Sequence, residues 1–181
     1  MTRLMTLFST CLALLACGGP TGSPDAGVDP QNPPTTGRAA IEAWLAAGVY
    51  KQWKCEPASH DARSPSPHGK NRICSNAKLS AAGTGEYPVD SAGVKELLDT
   101  DGTTLIGYAV YRHVSGGAGG DSWYWYERVP ANHPAPHDAN GVVADGLGGA
   151  GPPRDICVGC HQGAGSDAMH SGHDMVYTQV R

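Results

Sequence analysis

The sequence predicts an α+β fold, mainly β, for one domain that runs from residue 38 to residue 181 of the 181-residue chain. One segment, Arg38–Trp53, repeats its apolar residues at helical spacing, whereas two later segments alternate in the manner of strands. The glycine-rich turn Ser115–Asp121 separates those two segments, which predicts a hairpin. The body of the domain is therefore expected to be a sheet with few helices.

The elements follow in order along the chain. In the helix, Arg38, Glu42 and Lys51 can face water, and the apolar face is formed by Ile41, Trp44, Leu45, Gly48 and Val49. An irregular proline-containing segment, a short strand and a segment too short to assign to a strand or a helix come next, at residues 56–69, 71–76 and 92–99. After the turn signal Asp101–Gly102 come the hairpin strands, Thr104–Val114 and Ser122–Val129, and residues 130–153 are expected to be irregular.

The first residues have the composition of an export signal. Arg3 supplies a positive charge, and residues 4–16 are almost wholly apolar, a run too short to span a bilayer. The run ends in Leu-Leu-Ala-Cys-Gly, which resembles a bacterial lipobox, so residues 1–16 are predicted to be a signal peptide and Cys17 the lipidated residue. An ordinary signal peptide with an incidental Cys17 is the alternative. Gly18 in place of aspartate favours the outer membrane, facing the periplasm.

Residues 17–37 carry the predicted lipid and are then rich in Gly, Pro, Thr, Ser and Asp, so they are expected to form a flexible linker. The remaining residues are enough for one domain with its own core. A formal net charge of −4 and the lack of a basic run argue against a nucleic-acid partner.

One short motif near the C-terminus carries most of the chemical information. Cys157-Val158-Gly159-Cys160-His161 has the C-x-x-C-H pattern of covalent c-type haem attachment. Two thiols can add to the two vinyl groups of one porphyrin, and the adjacent His161 can bind the iron as its proximal ligand. The sequence therefore predicts one covalent haem c, attached at Cys157 and Cys160.

Two other interpretations of the motif stay open. Half of a zinc site would need a second pair of ligands, for which Cys55 and Cys74 are candidates. A dithiol redox motif is usual near a βαβ pattern, but the residues before Cys157 are rich in Gly and Pro and indicate a loop.

The remaining cysteines can be assigned by elimination. Cys11 belongs to the signal peptide and Cys17 carries the lipid, which leaves Cys55 and Cys74. These two are expected to form a disulfide in an oxidising compartment, and the alternative is a pair of free buried thiols.

Five segments together resemble the cytochrome P-460 and cytochrome c′-beta family, from about His68 to Val180. Their order and spacing make the resemblance specific, and apart from the haem motif each is weak alone. The segments are His68–Arg72, Tyr87–Leu97, Ser122–Tyr126, Cys157–His161 and Asp174–Thr178.

The resemblance implies an antiparallel sheet with a few helices and one haem c, often in a homodimer, with an open axial position opposite His161. In the P-460 branch a lysine also cross-links to the porphyrin, and Lys95 matches it; Arg72 matches an arginine of the distal pocket. The aromatic run Trp123–Tyr126 is expected to form pocket walls on one face and sheet packing on the other. The histidines other than His161 are taken as structural or solvent-facing.

One departure from the family concerns its distal carboxylate. Hydroxylamine-oxidising members need this group as a proton acceptor, whereas Tyr108 stands near its place and no acid lies between Gly102 and Gly120. A phenol is a poor base at neutral pH, so this departure argues against hydroxylamine oxidation.

The expected function is therefore redox chemistry on, or binding of, a small nitrogen ligand, hydroxylamine or nitric oxide. Enzymatic and non-enzymatic versions remain open, the latter being a one-electron carrier or a nitric oxide binder or sensor. The expected partners are the small ligand, a redox partner protein and, through the lipid, the membrane.

Overall fold

The structure, a computed structural model, describes residues 28–63, 66–168 and 170–181. Its centre is one antiparallel sheet of six strands in chain order, so every strand pairs with its neighbours in the sequence. The strands are β1 (Lys54–Cys55), β2 (Lys70–Ser75), β3 (Ala92–Leu98), β4 (Leu105–His113), β5 (Trp123–Arg128) and β6 (Val142–Leu147). The prediction of an α+β, mainly β fold is confirmed. The predicted signal peptide and Cys17 lie outside the described residues.

The helices are short and flank the sheet. They are α1 (Arg38–Ala47), α2 (Ala77–Ala81) and α3 (Gly159–His161), with 3₁₀ turns at Val49–Gln52 and Gly120–Ser122 and a π-helical turn at Pro153–Val158. Within the described residues, we find no helix with the length and apolarity that crossing a membrane requires.

The first helix ends earlier than its apolar spacing predicts. Gly48 adopts a left-handed conformation with φ of 67°, and its N–H donates to the carbonyl of Leu45. This C-terminal cap stops α1 at Ala47, and one 3₁₀ turn continues to Gln52. The predicted helix over 38–53 is thus two pieces with a glycine between them.

Residues on alternate positions of the strands define two faces of the sheet. On the first, which we call the helix face, Ile41, Trp44 and Leu45 of α1 pack against the strands in one apolar cluster. On the second, the cavity face, Trp123 and Trp125 pack with the segment that contains the C-x-x-C-H motif. The sheet therefore separates the layer that packs against α1 from the layer that carries the motif.

A strand that the sequence analysis assigned to an irregular segment closes the sheet. Residues Val142–Leu147 form β6 and pair with β5, with Tyr126 opposite Asp145. Only Val142, Val143 and Ala144 are consecutive apolar residues there, and glycines and polar residues surround them. A pattern this short does not predict a strand, so pairing with β5 rather than local preference determines it.

The described part of the predicted linker is bound to the domain. Trp44 and Trp53 donate their indole N–H groups to the carbonyls of Asp29 and Pro30, both at 2.8 Å, and Arg112 donates to the carbonyl of Pro33 at 2.8 Å. These hydrogen bonds from distant side chains fix residues 29–33, and the composition of those residues alone does not predict them. Residues 29–33 are therefore packed against the domain.

A disulfide joins β1 to β2. Cys55 and Cys74 are bonded with a sulfur–sulfur distance of 2.03 Å, and Cys74 belongs to the apolar cluster of the helix face. The bond therefore lies on the opposite side of the sheet from Cys157 and Cys160.

Candidate haem-attachment site

The C-x-x-C-H motif lies on one continuous helical segment against the cavity face. Cys157 is 9% exposed and Cys160 is half-buried, and neither forms a disulfide. Both cysteines and His161 line the same cavity. The short helical turn thus directs two thiols and one imidazole into one space, which is the arrangement that a doubly attached porphyrin requires.

Two glycines, Gly120 and Gly148, let this segment lie close to the sheet because they have no side chains. A Cβ on Gly120 would lie 2.3 Å from Cγ1 of Val158, and a Cβ on Gly148 would lie 2.0 Å from the carbonyl oxygen of Gly120. Val158 lies between the two cysteines of the motif. Gly120, in the turn before β5, and Gly148, directly after β6, therefore leave the space that the motif needs beside the sheet.

Burial keeps the thiol of Cys157 protonated. It raises the pKa of Cys157 to about 12, and the negative charge of Glu127 adds to the effect. Catalytic dithiols are instead activated by a lowered thiol pKa. The environment of Cys157 therefore does not match the dithiol redox interpretation of the motif.

The zinc interpretation lacks its second pair of ligands. Cys55 and Cys74 are bonded to each other on the helix face, so they do not join Cys157 and Cys160. Across residues 28–63, 66–168 and 170–181, no group of three or more His, Cys, Asp or Glu side chains is arranged to hold a metal ion.

His161 is oriented as a metal ligand would be. Its Nδ1 lies 2.6 Å from the carbonyl oxygen of Met175, which can only accept, so the Nδ1 position carries the proton and Nε2 has a free lone pair. Burial lowers the pKa of His161 to about 3, so the imidazole is neutral. A neutral ring with one nitrogen fixed by a carbonyl is the usual state of an iron- or zinc-binding histidine.

The C-terminal tail supplies this carbonyl through an unusual turn. Asp174 and Met175 both have positive φ, 40° and 69°, a conformation that side chains disfavour. The tail is also held by Tyr177, whose hydroxyl donates to the carbonyl of Cys160 at 2.9 Å. The rings of Trp125 and Tyr177 lie 4.7 and 5.5 Å from that of His161 and fix its plane.

The strands provide the opposite wall of the cavity. Because side chains alternate between the two faces of a sheet, directly paired residues share a face. Ile73 pairs with Lys95, Lys95 with Ala109, and Ala109 with Glu127, and all four line the cavity. Lys95 was predicted to lie beside the haem, and the structure brings it into the same cavity as both cysteines and His161.

Arg72 lies elsewhere, which corrects the expectation drawn from the family. It pairs with Glu96 in the register, and its Nε lies 3.7 Å from a carboxylate oxygen of Glu96. Neither residue lines the cavity. One residue of register separates Arg72 from Ile73, so its side chain leaves the sheet on the helix face rather than in a distal pocket.

Tyr108 also lies on the helix face. It pairs with Glu96, and its ring contacts that of Tyr50 at a centroid distance of 6.1 Å. The strand position compared with the family's distal acid therefore does not reach the cavity in this chain. A carboxylate enters the cavity from the next strand instead, as Glu127.

Three ionisable side chains meet in the cavity. Lys95 Nζ lies 3.0 Å from His68 Nδ1, and His68 Nε2 lies 3.5 Å from a carboxylate oxygen of Glu127. Burial lowers the pKa of Lys95 to about 8, although the charge of Glu127 opposes this. Burial alone would raise the pKa of Glu127, but the contact with His68 and the charges of His68 and Lys95 outweigh it and hold the pKa below its ordinary value.

The sequence analysis missed two members of this group. His68 was expected to be structural or solvent-facing, and Glu127 was not among the candidate residues. The signal was present in the sequence: in a hairpin of β4 and β5, the residue across from Ala109 shares the face of Lys95. Without the register, however, a glutamate at the end of a strand cannot be distinguished from a solvated one.

The other histidines and the aromatic run divide between several places. His60 and His133 line the cavity, His173 stacks on Tyr87, and His113 is fully buried against Trp123. In the run Trp123–Tyr126, Trp125 and Tyr126 contribute to the cavity lining. The hydroxyls of Tyr124 and Tyr126 donate to Asp145 and Glu42, and both residues belong to the cluster of the helix face.

Comparison of the chain with family models, with curated proteins and with solved structures found no match. The class of protein therefore has to be argued from the motif, its geometry and the cavity.

Proposed function

We propose that this chain is a c-type haem protein of the cytochrome P-460 type that binds a small nitrogen ligand at an open axial position. The observation that carries the proposal is the convergence of two unpaired thiols and one neutral, oriented imidazole on a single cavity. The residues present fit the group, because both thiols are unpaired and the neutral imidazole of His161 has a free lone pair on Nε2. Bound there, haem would supply one-electron redox chemistry and an axial coordination position.

The protein's own residues would perform five tasks in this site. Cys157 and Cys160 attach the porphyrin, and His161 provides the proximal nitrogen. Met175 positions His161 through its carbonyl, and Trp125 packs against the ring edge. The apolar wall that includes Ile73 and Ala109 excludes water from the porphyrin face.

The cavity also supports a protic ligand such as hydroxylamine. Oxidation of hydroxylamine releases protons, which a nearby base must accept. Glu127 and His68 provide a carboxylate and an imidazole within the cavity, so proton acceptors are present although Tyr108 replaces the family's distal acid. Nitric oxide carries no proton and has no need of these groups. We therefore favour hydroxylamine as the ligand class, with nitric oxide binding or simple electron transfer as the alternatives.

The spectrum of the purified, matured protein tests these functions against one another. A five-coordinate, high-spin iron with a red-shifted Soret band supports a cross-linked enzyme. A five-coordinate iron with an ordinary haem c spectrum supports gas binding, and a low-spin, six-coordinate spectrum supports electron transfer. Turnover of hydroxylamine with an artificial electron acceptor, and its loss in E127Q, then tests the favoured reaction. A protein without covalent haem contradicts the whole proposal.

The cellular placement belongs to the same proposal. A lipid on Cys17 would hold the domain at the periplasmic side of the envelope, where haem c is attached in bacteria and where a redox partner protein can reach it. Metabolic labelling with a radioactive fatty acid tests this, with C17S as the control that should remain unlabelled. The homodimer expected from the family is tested by sedimentation of the matured domain.

A further inference from the structure

The contacts of Lys95 define the direction in which a proton can move. A lysine ammonium group can only donate, so His68 Nδ1 accepts from it at 3.0 Å. The tautomer of His68 that accepts at Nδ1 carries its proton on Nε2, the atom that lies 3.5 Å from Glu127. The three side chains thus form one chain of contacts from an amine, through an imidazole, to a carboxylate.

Lys95 can pass a proton to His68 Nδ1, which leaves a neutral amine and an imidazolium. The carboxylate of Glu127, which lies beside Nε2 of His68, stabilises that imidazolium. Burial lowers the pKa of Lys95 and favours its neutral form, whereas the contact with His68 keeps Glu127 ionised despite its burial. If Lys95 served only to balance the charge of Glu127, the two side chains could pair directly, without the imidazole of His68 between them.

A neutral amine in this cavity is a nucleophile directed at the space where the porphyrin would be attached. Lys95 shares that cavity with Cys157, Cys160 and His161, so its amine would lie beside a porphyrin attached to the two cysteines. An ammonium group has no lone pair and cannot form the bond. Removal of the proton is therefore the step that the surroundings of Lys95 must provide.

We propose that His68, supported by Glu127, is the base that deprotonates Lys95 for covalent bonding of its amine to the porphyrin. The inference rests on the proposed function. The bond forms between Nζ and a ring carbon, and the nitrogen and the carbon each lose one hydrogen. The two electrons and two protons released reduce one molecule of hydrogen peroxide to two molecules of water.

The groups around Lys95 show which cavity residue can be replaced as a control for the loss of His68. Glu127 and Glu56 favour its ammonium form, Arg63 disfavours it, and Cys160 becomes a neutral thioether on haem attachment. His60 lines the same cavity, but its Nε2 contacts Glu56 at 2.9 Å, and no hydrogen bond or ion pair joins it to Lys95. H60Q therefore changes a cavity histidine without touching the proposed base.

The test uses the full chain matured with haem c and treated with excess hydrogen peroxide. Mass spectrometry of proteolytic haem peptides measures the fraction in which the Lys95 peptide is joined to the Cys157–His161 peptide. We expect H68Q and E127Q to slow the bond at least about tenfold at pH 7, because a lost general base typically costs that much or more. H60Q should remain within about twofold of the natural protein, and K95R should give no bond.

The pH dependence separates a base from a structural role. At about pH 10 solvent removes the proton from Lys95 directly, so the rate of H68Q should approach that of the natural protein. Equal haem content and melting temperature in H68Q show that the site is intact. Bond formation in H68Q at the natural rate at pH 7, or no recovery at high pH, overturns the inference. So does a haem-loaded natural protein that never links Lys95. Failure to load haem would instead overturn the proposed function.

Discussion

The two faces of the sheet are built from similar residues but have different chemistry. The helix face packs tryptophans and tyrosines against α1, and its charged groups pair with one another, as Arg72 does with Glu96. The cavity face packs tryptophans as well, but it leaves a space lined by Lys95, Glu127 and His161. Both faces belong to the same six strands, so a shift of one position along a strand decides whether a side chain packs on the helix face or enters the cavity.

The largest expected contrast between the faces involves their cysteine pairs. Replacing Cys157 and Cys160 by alanine should abolish thioether-linked haem completely, because no sulfur remains to bond the vinyl groups. Replacing Cys55 and Cys74 by alanine should leave the haem content of the folded protein unchanged and lower the free energy of unfolding by about 3 kcal/mol, as expected for a loop of 19 residues. Haem content after denaturation and urea unfolding measure the two effects.

The opposite result would contradict the assignment of the disulfide to the helix face and of haem attachment to the cavity face. Loss of haem attachment in a stably folded C55A/C74A protein would mean that the helix face takes part in forming the site.

Two buried tryptophans allow the same comparison within the core. W44A removes a ring that is 3% exposed and should lower stability by roughly 3–5 kcal/mol with no change in the haem spectrum. W125A removes a ring of equal exposure and should cost a similar amount, but it should also broaden or shift the Soret band. Its ring lies 4.7 Å from His161 and fixes the plane of the proposed ligand. An unchanged spectrum in both variants would place the haem elsewhere.

The sequence predicts some parts of the fold and of the candidate site but not others. The helix, the hairpin of β4 and β5 and the haem motif each depend on local patterns, and the structure contains the helix and hairpin with shifted ends. Strand β6, the bound segment 29–33 and the positions of Arg72 and Glu127 depend on register and on contacts between distant residues. Local propensity carries no information about those, so they became visible only in the fold.

A smaller effect should come from removing single hydroxyl groups. Y126F removes a hydrogen bond to Glu42 on the helix face, and Y177F removes one to the Cys160 carbonyl beside the cavity. Each should lower stability by about 1 kcal/mol. Only Y177F should also change the reduction potential, because the motif backbone loses a restraint. Urea unfolding and redox titration of both variants distinguish these outcomes, and a shift of potential in Y126F would argue against the separation of the faces.

The smallest expected change tests the side of the sheet on which Arg72 lies. R72K keeps the positive charge next to Glu96, so stability should fall by less than about 1 kcal/mol and the spectrum should not change. Ligand binding should also be unaffected, since Arg72 does not line the cavity. A weaker affinity for hydroxylamine or nitric oxide in R72K would restore Arg72 to the distal pocket.

The central claim is that Cys157 and Cys160 hold a haem covalently beside His161. It is tested most directly by maturing the chain in a host that attaches haem c and extracting it with acidified organic solvent. The account predicts that the colour stays with the polypeptide at one haem per chain and that neither thiol of the motif can be alkylated. A colourless polypeptide with both thiols reactive would contradict it.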